Sequence, residues 1–252
     1  MILLIGNWKM APGKASDALS LAKKTLLIAR KYKKIKIISC IPSIHIPFIT
    51  KQIKTTLSFG AEGVASTAEI AQTGLISSGM LKSYGVQYCI VGHSESRARG
   101  ETDDEVVAAT GALLQKKIIP VVCVGERERD AHGWYLSTVK GQIEKVVSGL
   151  QKVQIKQLVI AYEPIWAIGS NAVREATASE CLEMIIFIRK VIADMVGEKE
   201  SQKVTILYGG SVSEQNAASF ITDGGAQGFL VGRVSLDARR FGLLAKNIAT
   251  LG

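Results

Sequence analysis

The chain has 252 residues, of which 47% are hydrophobic and 21% are charged. This composition excludes a disordered chain and provides enough apolar side chains for one large globular domain or two small ones. The net charge is +9, but the lysines are scattered over many predicted helices without a recognised nucleic-acid-binding motif. We therefore expect a solvated basic surface and no nucleic-acid partner.

The start of the chain and the cysteines point to a soluble, cytoplasmic protein. Asn7 and Lys9 interrupt the first apolar run before a signal-peptide core forms, and nowhere do roughly 18 apolar residues follow one another. We expect no membrane partner. The cysteines form no CxxC pair and three of them lie in apolar runs, so we expect reduced thiols and no bound metal at Cys40, Cys89, Cys123 and Cys181.

Short apolar runs alternate with longer amphipathic segments along the whole chain. The apolar runs predict strands over residues 2–7, 36–41, 57–60, 88–91, 119–123, 158–162, 205–208 and 228–231. The amphipathic segments predict helices over residues 16–31, 44–51, 77–84, 103–116, 135–148, 177–196, 214–221 and 237–249. Eight strand–helix units in about 250 residues predict a closed parallel barrel surrounded by helices. No linker divides it, so we expect one domain over residues 1–252.

Helix boundaries carry signals of their own. Thr102, Thr177 and Ser213 are candidate N-terminal caps, and a glutamate three residues after Thr177 has the spacing of a capping box. Gly149 and Gly197 stand where the preceding helices should end.

Glu163 lies between the apolar run 158–162 and Pro164. The proline disfavours a helical conformation for Glu163, so the carboxylate should project from the strand tip, where barrel enzymes keep their catalysts. Apolar neighbours such as Trp166 would exclude water and favour a general base. A glutamate that only caps the strand is the alternative interpretation.

Polar side chains also follow the first and fourth predicted strands. Lys9 and Asn7 stand almost within an apolar run, where a lysine is costly unless it meets an anion, although a rim lysine reaching water is the alternative. His93 follows the fourth strand, beside polar residues that could begin a short helix. A lone histidine is more often structural, but its position at a strand end favours catalysis.

Glycine-rich sequences follow the last two strands: YGGSV at residues 208–212 and FLVGR at residues 229–233. Barrels of this type frequently bind phosphate after strands seven and eight, with backbone N–H groups and the start of a short helix. Each motif alone is weak, but the pair at these two positions predicts a phosphate site.

These residues resemble the triosephosphate isomerase family, in order and over essentially the whole chain. The family motifs NWKM, GHSE, CVGE, YEPIWAIG, YGGSV and FLVG stand at residues 7–10, 92–95, 123–126, 162–169, 208–212 and 229–232. The resemblance implies a (β/α)8 TIM barrel, a homodimer and the interconversion of dihydroxyacetone phosphate and glyceraldehyde 3-phosphate in glycolysis and gluconeogenesis. It implies no cofactor.

The resemblance also implies the role of each catalytic residue. Glu163 would move a proton between neighbouring carbons through an enediol(ate), while a neutral His93 would polarise the carbonyl, as the corresponding histidine does in this family. Lys9 would stabilise negative charge, Asn7 would orient the substrate, and Glu95 would lie near Lys9 as a partner or participant in proton movement.

Phosphate binding and the lid follow from the same resemblance. Gly169, Ser211, Gly232 and the backbone of Arg233 would hold the phosphate. The loop after Glu163 corresponds to the family's lid, which closes over the site and excludes water. Its residues are Pro164, Ile165, Trp166, Ala167 and Ile168.

The chain departs from the family pattern in three places. The segment 170–176, which follows the lid, is about two residues longer than the corresponding segment of the family. Arg233 replaces a second glycine, so this position either accepts an ordinary φ or is strained, and the side chain either leaves the mouth or adds a charge. In the loop 70–75, which would contact a partner, Leu75 replaces the family's glutamate, and Ser96 replaces the arginine that follows GHSE; in the family this glutamate and arginine pair across subunits. We still expect a homodimer held by the loop around Thr73.

Two rival functions are considered. One is another phosphate-binding barrel enzyme, although a Schiff-base aldolase would need a lysine where Glu163 stands. The other is an inactive barrel that binds a phosphometabolite or a protein, which loss of Lys9, His93 or Glu163 would have favoured.

Overall fold

A computed structural model describes residues 1–53, 58–67, 71–130, 132–169 and 172–251. Its strands are β1 (Ile2–Asn7), β2 (Ile35–Ile41), β3 (Ser58–Ala61), β4 (Tyr88–Val91), β5 (Ile119–Val124), β6 (Val159–Tyr162), β7 (Thr205–Tyr208) and β8 (Gly228–Val231). All eight neighbouring pairs are parallel and β1 pairs with β8, which closes the barrel. The predicted (β/α)8 fold is confirmed.

Helices follow the strands and cover the outside of the barrel. They are α1 (Ala15–Lys31), α2 (Ile46–Gln52), α3 (Ser78–Ser83), α4 (Ser94–Ala98), α5 (Asp103–Gln115), α6 (Trp134–Ser148), α7 (Lys152–Ile155), α8 (Ala178–Val196), α9 (Glu198–Ser201), α10 (Ala217–Thr222) and α11 (Ala238–Ala249). The described residues also include 3-10 helices at Ser43–His45, Ile165–Ala167 and Arg233–Leu236.

Most predicted helix boundaries agree with the structure. Thr102 and Thr177 each complete a capping box, and Gly149 and Gly197 stand at the C-terminal caps of α6 and α8. The prediction that Ser213 caps a helix from residue 214 is wrong, because α10 begins at Ala217. The Ser213 hydroxyl instead accepts the N–H of Asn216 at 3.3 Å, and its own N–H donates to the Asn216 side chain at 2.8 Å.

Alternation along the strands divides the apolar side chains between two layers. One side of every strand except β3 contributes to the barrel interior, which holds twelve buried apolar residues: Leu3, Ile5, Ile38, Cys40, Tyr88, Ile90, Val121, Cys123, Val159, Ala161, Leu207 and Leu230. The other side packs against the helices in a larger cluster. All four cysteines are buried free thiols, as predicted. Within the described ranges, no helix combines the length and the apolar character needed to cross a membrane.

Two glycines permit close approaches that closure of the barrel requires. A Cβ on Gly228 would lie 1.9 Å from the carbonyl oxygen of Leu3, at the joint between β8 and β1. A Cβ on Gly125 would lie 1.8 Å from the carbonyl oxygen of Glu163. Backbone therefore packs directly against backbone at the barrel joint and beside Glu163.

Candidate active site

Glu163 is the first residue after β6, and backbone contacts with the end of β5 fix its position. The Glu163 N–H donates to the carbonyl oxygen of Val124 at 2.8 Å. The absence of a side chain at Gly125 leaves room for the carbonyl oxygen of Glu163. Its side chain is 3% exposed although it carries a carboxylate. A carboxylate this deeply buried needs polar partners.

His93 and Ser94 supply these partners. Glu163 Oε1 lies 3.1 Å from His93 Nε2, and Oε2 accepts the N–H of Ser94 at 3.0 Å. His93 is the N-terminal cap of α4, and its Nδ1 accepts the N–H of Glu95 at 3.2 Å. An accepting Nδ1 requires a neutral ring with its proton on Nε2, so His93 donates to Glu163 in this arrangement.

Lys9 lies beyond the end of β1 in a strained backbone conformation. Its φ of 56° is left-handed, which is uncommon for a residue with a side chain. The buried Asn7 side chain accepts the Lys9 N–H at 3.1 Å and holds the turn, and Lys9 Nζ donates to Glu95 at 2.5 Å. Burial alone would raise the pKa of Glu95, but the bonded Lys9 ammonium holds it below its ordinary value. Glu95 is therefore an ionised partner of Lys9 near neutral pH.

A cavity of about 300 Å³ is lined by Lys9 and by Gly209, which faces the side chain of Glu163. Its wall consists of the loops after β7 and β8, two residues that follow the 3-10 helix Ile165–Ala167 and two further basic residues: Lys9, Ile168, Gly169, Gly209, Gly210, Ser211, Val212, Val231, Gly232, Arg233, Val234 and Arg240. All four residues predicted to hold phosphate belong to this lining. Backbone N–H groups, a 3-10 helix that begins at Arg233 and cationic side chains make the cavity suited to an anion.

Arg233 adopts an ordinary backbone conformation. Lys9 and Lys117 are the non-glycine residues with positive φ among those the structure describes, so the glycine-to-arginine departure introduces no left-handed strain. Its side chain is exposed and lines the cavity, so it does not leave the mouth.

The segment after Glu163 is anchored through one carboxylate. Residues Ile165–Ala167 form a 3-10 helix, and the Trp166 indole N–H donates to Glu126 Oε1 at 2.7 Å. The same oxygen accepts the Tyr162 hydroxyl at 2.8 Å. Burial raises the pKa of Glu126. Ser211 donates to the carbonyl oxygen of Ala167 at 2.7 Å and joins this segment to the cavity.

The sequence did not reveal every part of the site. The Ser94 N–H, the Glu126 anchor and Arg240 were all missed, although Glu126 stood within a quoted motif. Arg240 lies in the first turn of α11 and pairs with Glu214 at 2.8 and 3.0 Å. Its position near the start of the helix after strand eight was the available signal. The described residues do not include four positions of these predictions: residues 170 and 171 of the longer loop, residue 70 of the expected partner loop and residue 57 of the predicted third strand.

Comparisons with known proteins agree with this geometry. The family model described as triosephosphate isomerase matches residues 2–248. The chain belongs to the triosephosphate isomerase family. A triosephosphate isomerase of Endomicrobium trichonymphae is 38% identical over 249 residues, covering 97% of each chain. One of Moorella thermoacetica is 37% identical over 245 residues, covering 95% of each. Membership of the triosephosphate isomerase family makes the chain an isomerase, and it confirms the resemblance.

Glu62 is a further, partly buried carboxylate at this mouth of the barrel. It follows β3, and its Oε1 is buried with no hydrogen-bond partner within the described part of the chain. Burial raises its pKa from the ordinary 4.5 to about 8, although the backbone N–H groups of Lys9 and Trp8 partly oppose this rise. Folded protein therefore holds the Glu62 proton more tightly than the unfolded chain does.

We predict that Glu62→Gln stabilises the protein more at pH 8 than at pH 5. Between the unfolded and folded pKa values the wild type loses stability as pH rises, whereas glutamine does not titrate. The gap in free energy of unfolding between variant and wild type should widen by about 3 kcal/mol from pH 5 to pH 8, because the wild type loses about 1.4 kcal/mol per pH unit over most of this interval. Urea denaturation at both pH values measures it, with Glu144→Gln on α6 as the charge-matched control. A gap that stays constant contradicts the prediction.

Proposed function

We propose that this site interconverts dihydroxyacetone phosphate and D-glyceraldehyde 3-phosphate by moving one proton through an enediol(ate), without a cofactor. One observation carries the assignment of the chemistry. A buried carboxylate, Glu163, lies 3.1 Å from the Nε2 of His93, beside an anion-suited cavity that Lys9 also lines. The reaction needs a base, a proton donor to oxygen and an anion site, and these three groups supply them.

Glu163 acts as the general base. Its carboxylate removes the proton from the carbon beside the carbonyl and returns it to the neighbouring carbon. A positioned base typically contributes about 10²–10⁴ in rate, so the remaining groups must lower the barrier further. The bonds from Ser94 and His93 hold the carboxylate in place before substrate arrives.

The negative charge that develops on the substrate oxygens is stabilised by His93 and Lys9, which Asn7 and Glu95 hold in place. A neutral His93 has its Nε2 proton available to a carbonyl oxygen when substrate replaces Glu163 as acceptor. The Lys9 ammonium stabilises the enediolate, and Asn7 holds the strained turn that presents it. Glu95 keeps Lys9 paired in the free enzyme.

The remote phosphate is held by Gly169, Ser211, Gly232 and Arg233. The cavity that these residues line lies after strands seven and eight, the usual phosphate position in this fold. Residues Pro164, Ile165, Trp166, Ala167 and Ile168 form the lid. Closure of the lid would exclude water and limit loss of phosphate from the intermediate.

The proposal extends to cellular context. A chain with this reaction serves glycolysis and gluconeogenesis as one catalytic domain over residues 1–252. Both pathways convert small soluble sugar phosphates, so we place the chain in the cytoplasm.

A second copy of this chain is the proposed protein partner. Met10 next to Lys9 is 98% exposed and Ile44 is 83% exposed. Their segments are neighbours, because the ring of His45 lies 2.8 Å from the carbonyl oxygen of Pro12. Leu75 follows Thr73 and is also exposed, so apolar surface of this extent beside the mouth fits a homodimer through the loop around Thr73.

Replacing the base tests the function directly. Glu163→Gln should retain the fold, checked by circular dichroism, but lose about 10²–10⁴-fold in kcat because the amide cannot accept the proton. A coupled assay of glyceraldehyde 3-phosphate isomerisation measures both proteins. Equal turnover by the two proteins would show that Glu163 is not the base. No turnover by folded wild type would favour the alternative of another phosphate-binding barrel.

Arg233 should add attraction for the substrate dianion. We expect Arg233→Gly to raise KM by about 3–10-fold and to weaken the salt dependence of kcat/KM, because one cation leaves the cavity rim. Arg233→Lys, which keeps the charge, should recover part of the loss. Steady-state kinetics from low to high salt measure both effects. If Arg233→Gly leaves substrate affinity and salt dependence unchanged, the Arg233 charge does not contribute to substrate binding.

Light scattering at micromolar concentration tests the homodimer. The wild type should have twice the mass of one chain, and Ile44→Asp should shift it toward one chain because a carboxylate is costly to bury at an apolar contact. Ile186→Asp, on an exposed isoleucine of α8, is the matched control and should stay dimeric. A wild-type monomer at this concentration overturns the assignment.

A further inference from the structure

The chain that returns from the lid is bonded to the segment where the lid begins. The Val173 N–H donates to the carbonyl oxygen of Trp166 at 2.8 Å. Trp166 lies in the 3-10 helix directly after Glu163 and Pro164, and its ring is 7% exposed. Both ends of the lid therefore meet at one tryptophan.

Arg174 covers that tryptophan. Its guanidinium carbon lies 4.4 Å from the centroid of the Trp166 ring, well within the range of a cation–π contact. Arg129 approaches the same ring at 5.9 Å. The planar guanidinium stacks on an aromatic face in a way that a lysine ammonium does not reproduce.

Glu180 holds Arg174 in this position through two hydrogen bonds. Arg174 Nη1 donates to Glu180 Oε2 at 2.9 Å and Nη2 donates to Oε1 at 2.5 Å. The bonded guanidinium is the main reason why the pKa of Glu180 falls to about 2, so the pair stays ionised at any working pH. A two-point pair of this kind fixes direction as well as distance.

Glu180 is itself a fixed point of the scaffold. It occupies the third position of α8, where its Oε2 accepts the N–H of Thr177 at 2.8 Å and its own N–H donates to the Thr177 hydroxyl at 3.2 Å. This capping box ties the carboxylate to the first turn of a 19-residue helix. Trp166, Arg174 and α8 thus form a continuous chain of contacts.

We propose that Arg174 is a positioning residue that latches both ends of the lid to the first turn of α8 through Trp166 and Glu180. Arg174 does not touch the reacting atoms and acts through the lid, so the inference rests on the proposed function. The latch limits the conformations that the lid samples and raises the fraction of time in which the lid can seal the site.

Removing the charge while keeping an unbranched stem tests the latch. We expect Arg174→Met to lower kcat/KM by about 3–10-fold and to release more inorganic phosphate per isomerisation, because a poorly sealed intermediate breaks its carbon–oxygen bond to phosphate. Amide hydrogen exchange at Val173 should be at least about 5-fold faster. Lys145→Met, which removes the same charge from an exposed ion pair on α6, is the control and should change none of these.

A double-mutant cycle separates the latch from general destabilisation. Glu180→Gln breaks the ion pair but keeps a side chain suited to the capping box. The double variant should have a kcat/KM no lower than that of the more impaired single variant, because the two substitutions remove the same interaction. Arg174→Lys should recover less than half of the lost kcat/KM, because the ammonium has no planar fork.

The outcomes distinguish this proposal from the proposed function. Unchanged exchange, phosphate release and kcat/KM in Arg174→Met would overturn the latch, and so would strictly additive effects in the cycle. A wild type without isomerase turnover would overturn the proposed function, while faster Val173 exchange in Arg174→Met would still support the latch.

Discussion

The parallel backbone pairing between β8 and β1 is the constraint on which the rest of the molecule depends. It joins the two ends of the sheet, with Leu3 opposite Gly228, and it admits only a glycine at the joint because the Leu3 carbonyl occupies the place of a Cβ. Closure brings the carboxyl ends of all eight strands to one rim. Groups separated by up to 231 positions along the chain, such as Lys9 and Arg240, then line one cavity.

Charge at this rim is arranged in pairs before any ligand arrives. Lys9 is bonded to Glu95, Arg240 to Glu214, and Glu163 to His93 and Ser94. An anion that enters the cavity therefore exchanges partners with groups already in place, which limits the reorganisation needed during reaction. The left-handed Lys9 shows that this arrangement tolerates local strain at the site.

The sequence was sufficient for the large elements and for the position of the main chemical groups. Buried strands are recognisable in the sequence as apolar runs, and Glu163 and His93 could be placed because each follows such a run. Short elements such as α4, with five residues, carry too few positions for a periodic pattern. The start of α10 was misplaced because Ser213 and Asn216 bond each other's backbone in a turn that precedes it. The Ser94 N–H contact depends on the conformation of the Glu163 side chain, which no local pattern encodes. For Arg240 the sequence offered only its position near the start of a helix, and its place in the cavity follows from how that helix packs on the barrel.

Glu180 illustrates how one carboxylate can serve two purposes. It caps α8 through Thr177 and it holds Arg174 against Trp166. In genetic terms the position is pleiotropic: one mutation there removes both the cap of α8 and the ion pair that holds Arg174 on Trp166. A replacement that spares both would have to keep an acceptor for the Thr177 N–H and a partner for the guanidinium.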